Sequence, residues 1–176
     1  GKTLVLVNRY AYLVNVLGID PHNILCLTFT NKAAQEMRNR LSEMFGIDIK
    51  GSFVGTLHGF CLNFLRENYA QVGLSDGFTV MDREDCMALA KEVLKEKRGA
   101  KSFVYEISDW KYSIKNDYIK IISNARKQGK GDSFSNPKCQ FVCRQQEMNM
   151  ADYDDLLLYT YSILMSNKEI CQDWSE

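Results

Sequence analysis

A chain of 176 residues with 45% apolar and 11% aromatic content can bury one ordinary core, or one core with a small satellite. Its 22 basic residues balance 22 acidic ones, which excludes nucleic-acid binding through overall charge and leaves only local binding. No apolar run is long enough to span a membrane and no signal segment stands at the start, so a soluble, cytoplasmic chain without a membrane partner is expected. The cysteines, Cys26, Cys61, Cys86, Cys139, Cys143 and Cys171, lie mostly inside apolar stretches, and only Cys139 and Cys143 are close together, which predicts reduced thiols rather than a disulfide or zinc framework.

The chain opens on Gly1-Lys2-Thr3, which matches the end of the phosphate-loop pattern G-x-x-x-x-G-K-[ST] but also arises by chance in many proteins. Between Thr3 and Leu17 the apolar positions Val7, Tyr10, Ala11, Val14 and Leu17 recur at spacings of three and four, predicting a helix stopped by Gly18. Asn23 to Phe29 is a short apolar run of the kind buried in a parallel sheet. Thr30 or Asn31 then caps a helix through Ala34, Met37, Leu41 and Met44, closed by Gly46. A second strand, Ser52 to Gly55, leads through Thr56 into a helix bearing Phe60, Cys61, Phe64 and Leu65 as far as Asn68. This alternation predicts an open α/β sheet. A third strand is expected at Phe78 to Met81, followed by Asp82 as N-cap and a helix with Cys86, Leu89, Val93 and Leu94 inward, ended by Gly99.

Beyond that point the strand signal fades. Ser108 to Gln128 is helical in period, with Trp110, Ile114, Tyr118, Ile121 and Ile122 on one side, and Gly129 to Pro137 reads as a loop. Ala151 to Ser166 is helical again, with Leu157, Tyr161 and Leu164 on its apolar stripe. An α/β layer followed by a helical insert is the expected organisation.

Ligands gather outside the carboxyl ends of strands in α/β sheets, and two such ends here carry similar chemistry. After the first, Thr30 and Asn31 offer hydroxyl, amide and helix N-terminal N–H groups while Phe29 offers a flat face; equally, Thr30 could be only a cap and Phe29 only core. After the second, Thr56 and His58 supply polar groups, and Gly55 and Gly59 leave the backbone open to close approach; equally, His58 could be only a satisfied polar residue and the glycines could merely serve the turn. The pair suggests a polyanion track along one sheet edge. The basic series Lys111, Lys115, Lys120, Arg126, Lys127 and Lys130 is either a solvated helix face or an electrostatic surface for duplex DNA. Asp152, Asp154 and Asp155 read as an acidic helix start rather than a metal site.

The segments "GKT", "LTFTNKAAQEM", "GTLHGF" and "ADYDDLL", in this order, resemble the N-terminal part of the UvrD/Rep-type superfamily-one DNA helicases over nearly the whole chain. The resemblance implies a partial RecA-like P-loop parallel sheet with an inserted, mainly helical subdomain: 1–82 in the motor domain, 83–150 in the insert and 151–176 returning toward the motor. It implies ATP at Gly1, Lys2 and Thr3, with Thr3 also holding Mg²⁺, and single-stranded DNA at Thr28, Phe29, Thr30, Asn31, Thr56 and His58. The implied partners are single-stranded DNA, single/double-strand junctions and the remaining motor domains of a parent chain, with 3′ to 5′ movement. Leu4, Leu57 and Gly59 depart from the family's usual arginine, phenylalanine and serine. No D-E-x-Q-D block for magnesium and water activation occurs up to Glu176, so this polypeptide alone is expected to be inactive as an ATPase. The rival expectations are a catalytically inactive DNA-binding or interaction module of the same fold and a subunit of a helicase-nuclease.

Overall fold

The computed structural model describes residues 1–47, 49, 51–95, 98–128 and 136–173. The chain folds as two compact units, Gly1–Phe60 and the residues from Cys61 onward.

In the first unit, helix α1 (Lys2–Asn15) turns Val7, Tyr10 and Ala11 inward, one face at helical spacing. Strand β1 (Leu25–Thr28) runs parallel to β2 (Phe53–Thr56), with Leu25 opposite Phe53 and Thr28 opposite Thr56. Between them lies α2 (Asn31–Phe45). Its start is fixed by Thr30, whose hydroxyl accepts from the Ala33 N–H, and its end by Gly46 at φ +60°, where the left-handed conformation suits glycine. Side chains alternate across a strand, so Cys26 and Val54 face Val7, Tyr10, Met37 and Leu41 in one buried cluster. The other sheet face carries Leu25, Leu27, Phe53 and Gly55, with Leu27 still 40% exposed. Helix α3 (Leu57–Asn68) follows β2 directly.

The expected third strand forms within residues 78–81, but in another sheet. Strand β3 (Thr79–Val80) pairs in parallel with β4 (Met150–Ala151) in a separate two-stranded sheet and does not extend β1 and β2. Its flanking Phe78 and Met81 are buried in the second unit, which fixes the segment there. The two compact units part after Phe60.

Helix α4 (Arg83–Leu94) begins with a reciprocal capping box between Asp82 and Asp85 and buries Cys86, Leu89 and Val93. It ends at Lys95 in the left-handed region, not at Gly99, which instead precedes α5 (Ala100–Ser113). The helical period expected from Ser108 therefore starts earlier and breaks at residues 114–117 before α6 (Tyr118–Gln128). Of the expected loop, residues 129–135, including Lys130, lie outside the described residues. Asn136 caps α7 (Pro137–Glu147), a helix the sequence reading lacks because its polar Gln and Arg positions blur the apolar stripe. Helix α8 (Tyr153–Ser166) buries Leu156, Tyr159, Thr160 and Ile163, whereas Leu157, Tyr161 and Leu164 are only half-buried. A short α9 (Lys168–Asp173) follows. Among the described residues no helix is long and apolar enough to cross a membrane.

Candidate nucleic-acid site at the strand ends

Parallel pairing brings the carboxyl ends of β1 and β2 side by side. Leu27, Thr28 and Phe29 from the first, with Thr56, Leu57 and His58 from the second, line an open cleft of about 410 Å³. Phe29 is 103% exposed, so the ring stands entirely in solvent instead of joining the core. A large aromatic wholly outside the core is informative where an exposed leucine is not.

The threonines hold this end of the sheet together. The Thr28 hydroxyl is shared between two carbonyls, Thr30 O at 3.0 Å and Gly55 O at 3.3 Å, which ties the turn after β1 to β2. Thr30 caps α2, and the Thr56 hydroxyl accepts from the Gly59 N–H at 3.1 Å in the first turn of α3. Arg38 on α2 donates to Val54 O through Nη1 and to Gln35 Oε1 at 3.0 Å through Nη2, bracing the same strand from the helix side. Asn31 and His58 are exposed in the first turns of α2 and α3. Such helix starts present N–H groups and a partial positive charge to an anion.

The two glycines behave differently from expectation. A side chain on Gly55 would meet Phe53 Cζ at 2.6 Å, and one on Gly59 would meet Thr56 Oγ1 at 3.2 Å and Phe53 Cζ at 3.6 Å. The Phe53 ring, which packs edge-on against Phe60 with centroids 5.7 Å apart, fills the space beside Gly55, and the Thr56 hydroxyl crowds that beside Gly59. Lys2 and Thr3 occupy the first turn of α1, whose N-cap is Gly1 and carries no side-chain cap. Lys2 is exposed and Thr3 half-buried.

The basic series divides. Lys111 does not belong to a DNA-facing surface: it is fully buried, with Nζ 2.5 Å from Asp152 Oδ2 and 2.8 Å from Asp155 Oδ1. Gln145 Oε1 at 3.2 Å completes its shell, and Tyr118 donates to Asp155 Oδ1 at 2.5 Å. Burial disfavours the ammonium, but the two carboxylates outweigh it and hold the Lys111 pKa above its ordinary value. Burial and then the Asp152 charge push Asp155 up to about 6. For Asp152, burial acts upward, yet the Lys111 charge and hydrogen bond bring it below the usual carboxylate range. Asp152 and Asp155 thus form the α8 capping box, in keeping with the acidic helix start expected from the sequence, and also neutralise a buried cation, which the sequence reading lacks; its signal is their i, i+3 spacing at the start of an otherwise apolar helix. Arg126 donates to Gly73 O and to Gln146 Oε1, at 3.2 and 3.0 Å, while Lys115, Lys120 and Lys127 are exposed.

Cys26, Cys61, Cys86, Cys139 and Cys143 are free thiols, and among the described residues no group of three or more His, Cys, Asp or Glu could hold a metal. A parallel α/β unit with an aromatic and helix starts gathered at its strand ends is the architecture of a ligand-handling sheet. The pattern of the UvrD/REP helicase N-terminal domain matches residues 1–176, and the chain belongs to that family. It is 32% identical to a probable DNA helicase II homolog of Mycoplasma capricolum, over 99% of this chain and 25% of that protein. It is likewise 32% identical to the ATP-dependent DNA helicase PcrA of Staphylococcus aureus, over 98% of this chain and 24% of that protein. With the ATP-dependent DNA helicase Rep of Salmonella typhimurium it shares 31% over 99% of this chain and 26% of that protein. The chain therefore spans about a quarter of the length of these curated relatives.

Proposed function

We propose that this chain is the DNA-facing part of the first, RecA-like motor domain of an ATP-dependent DNA helicase, together with its helical insert. Single-stranded DNA lies across the strand-end cleft, with a base stacked on Phe29 and phosphates received by Asn31, His58 and the N-terminal N–H groups of α2 and α3. The observation that carries this reading is the wholly exposed Phe29 ring beside Thr56 and His58 at the ends of two parallel strands. Thr28, Thr30 and Thr56 act here by holding the two turns in place, each through its hydroxyl. Stacking and backbone contacts accept any base, so the site selects single strands without reading sequence.

In the parent protein, Lys2 and Thr3 meet ATP at the uncapped start of α1. A lysine ammonium suits phosphate oxygens and a threonine hydroxyl is a hard ligand for Mg²⁺, so these residues fit that group. Bound ATP supplies the energy of phosphoryl transfer; this chain's own part is to orient the phosphates and hold the strand. Further motor domains of the parent, and movement 3′ to 5′ toward a single/double-strand junction, complete the proposal on the strength of the family resemblance.

The test is fluorescence anisotropy of labelled single-stranded DNA against the intact chain, Phe29→Ala and His58→Ala. Loss of a stacked base costs about 1–3 kcal/mol, so Phe29→Ala should weaken binding by about 5- to 150-fold. Intact binding that neither substitution weakens would overturn the assignment of the cleft.

A further inference from the structure

Lys115, Lys120 and Lys127 do not project from a convex face. They line one open groove of about 780 Å³ in the second unit, between α6 with its preceding turn and the later half of α8. Among the described residues lining it there is no carboxylate, and Asp117 of the same turn is not part of the lining. A groove whose described lining holds three lysines and no carboxylate, in a chain whose charges balance, is a local concentration of positive potential. Its wall also carries Tyr161, fixed by its hydroxyl donating to Asn116 Oδ1 at 3.1 Å, with Lys115 Nζ 5.9 Å from the ring centroid. Ile119 and Met165 add apolar lining.

We infer that this groove is a second binding channel for single-stranded nucleic acid, separate from the Phe29 cleft; the inference rests on the reading that the chain handles DNA. A duplex presents phosphates but keeps its base faces inside the stack, so the tyrosine and apolar lining would have nothing to meet. A single strand presents both, and a basic groove interleaved with an aromatic is the arrangement that tracks it. An acidic peptide would satisfy the lysines but gives no use for the ring. The channel thus reassigns the exposed lysines from a duplex surface to a strand path.

The test uses the whole chain and labelled oligothymidylate, with blunt duplex of equal length as comparison, at salt of about 50 and 200 mM. The Phe29→Ala chain retains single-strand binding through the groove. Adding Lys120→Glu and Lys127→Glu to that background lowers the remaining affinity at least about tenfold and flattens the salt slope by about 1.4, the share of two single-strand phosphate contacts. These are exposed positions, and an unchanged melting curve confirms that folding is intact. Photo-crosslinking of 5-iodouracil-substituted DNA, read by mass spectrometry, places a crosslink at Tyr161. The inference is overturned by any of four results: no residual binding by Phe29→Ala at the lower salt, residual binding indifferent to the lysine reversals, tighter binding of duplex than single strand, or no crosslink at Tyr161. If Phe29→Ala changes nothing while the lysine reversals abolish binding, the strand-end cleft fails and the groove stands.

Discussion

Lys111 Nζ lies 2.8 Å from Asp155 Oδ1, and both side chains are wholly withdrawn from solvent. Asp152 at 2.5 Å makes the cation doubly paired, so this part of α5 is tied to the start of α8 by charge as well as packing. Breaking a buried pair from one side leaves uncompensated charge and costs about 3–5 kcal/mol, much more than a surface pair. Lys111→Met keeps most of the volume and removes the ammonium. It should lower stability by about that amount in urea unfolding, with the deficit shrinking at acid pH as the orphaned carboxylates take up protons. A loss within about 0.5 kcal/mol, the range of ordinary surface substitutions, would show that the ion pairs do not matter to the fold.

Asp155 carries a pH signature of opposite sign to that of an ordinary paired carboxylate. Its pKa is raised to about 6, against about 3.9 for an unperturbed aspartate, so between those values the native chain holds a proton that the unfolded chain has released. The native state binds more protons in that window, and stability from this group falls as pH rises through it. Asp152, held low, contributes in the reverse sense: its share is present above the unfolded value and lost as pH falls. Asp155→Asn removes the first contribution and leaves Asp152 as the remaining carboxylate beside Lys111. Relative to the intact chain it should therefore fare better at pH 7 than at pH 4, by an amount of order 2 kcal/mol. Urea titrations of both proteins at the two pH values check this, and a pH-independent difference between them would refute it.

The strand-end cleft was legible because its determinants are local. A strand-length apolar run, a threonine before a helical stripe and a glycine after it place β1, Thr30, α2 and Gly46 without knowledge of what they touch. Lys111 was not legible in that way. It stands in the last turn of α5, where a lysine ordinarily faces solvent and complements the helix dipole, and only partners 41 and 44 residues later withdraw it. The same holds for β3. Its two-residue ladder depends on β4, a segment too short to show any alternation, so the sequence marks the strand without its partner. Local grammar marked where the elements begin and end, while burial and strand partnership depended on distant residues.

The Thr28 hydroxyl couples the two halves of the cleft, since its proton is shared between carbonyls of the β1 turn and of β2. Thr28→Val preserves shape and β propensity but leaves those carbonyls without this donor. The expected cost is about 1 kcal/mol in stability. The more specific readout is faster amide exchange in residues 28–31 than in α1, because the strap holds that turn and not the remote helix. Exchange that rises equally in both would indicate a global loss of stability instead.

Gly55 illustrates a constraint imposed by a neighbour rather than by the backbone. It is not among the glycines with positive φ, so the conformation itself accepts any L-residue. What forbids a side chain is the Phe53 ring, 2.6 Å from where its Cβ would sit. Gly55→Ala should therefore destabilise by about 1–3 kcal/mol through overpacking at a site that must shift to fit a methyl group. Phe53→Ala also costs stability, because the ring loses its contact with Phe60. Combined, however, the two changes should cost less than their sum, the truncated position 53 leaving room for the new methyl. A favourable coupling of at least about 0.5 kcal/mol in the double-mutant cycle is the expected result. Strict additivity would mean that the methyl is rejected by something other than the ring. In that case Phe53 would have no part in setting the β2 end on which Thr56 and His58 stand.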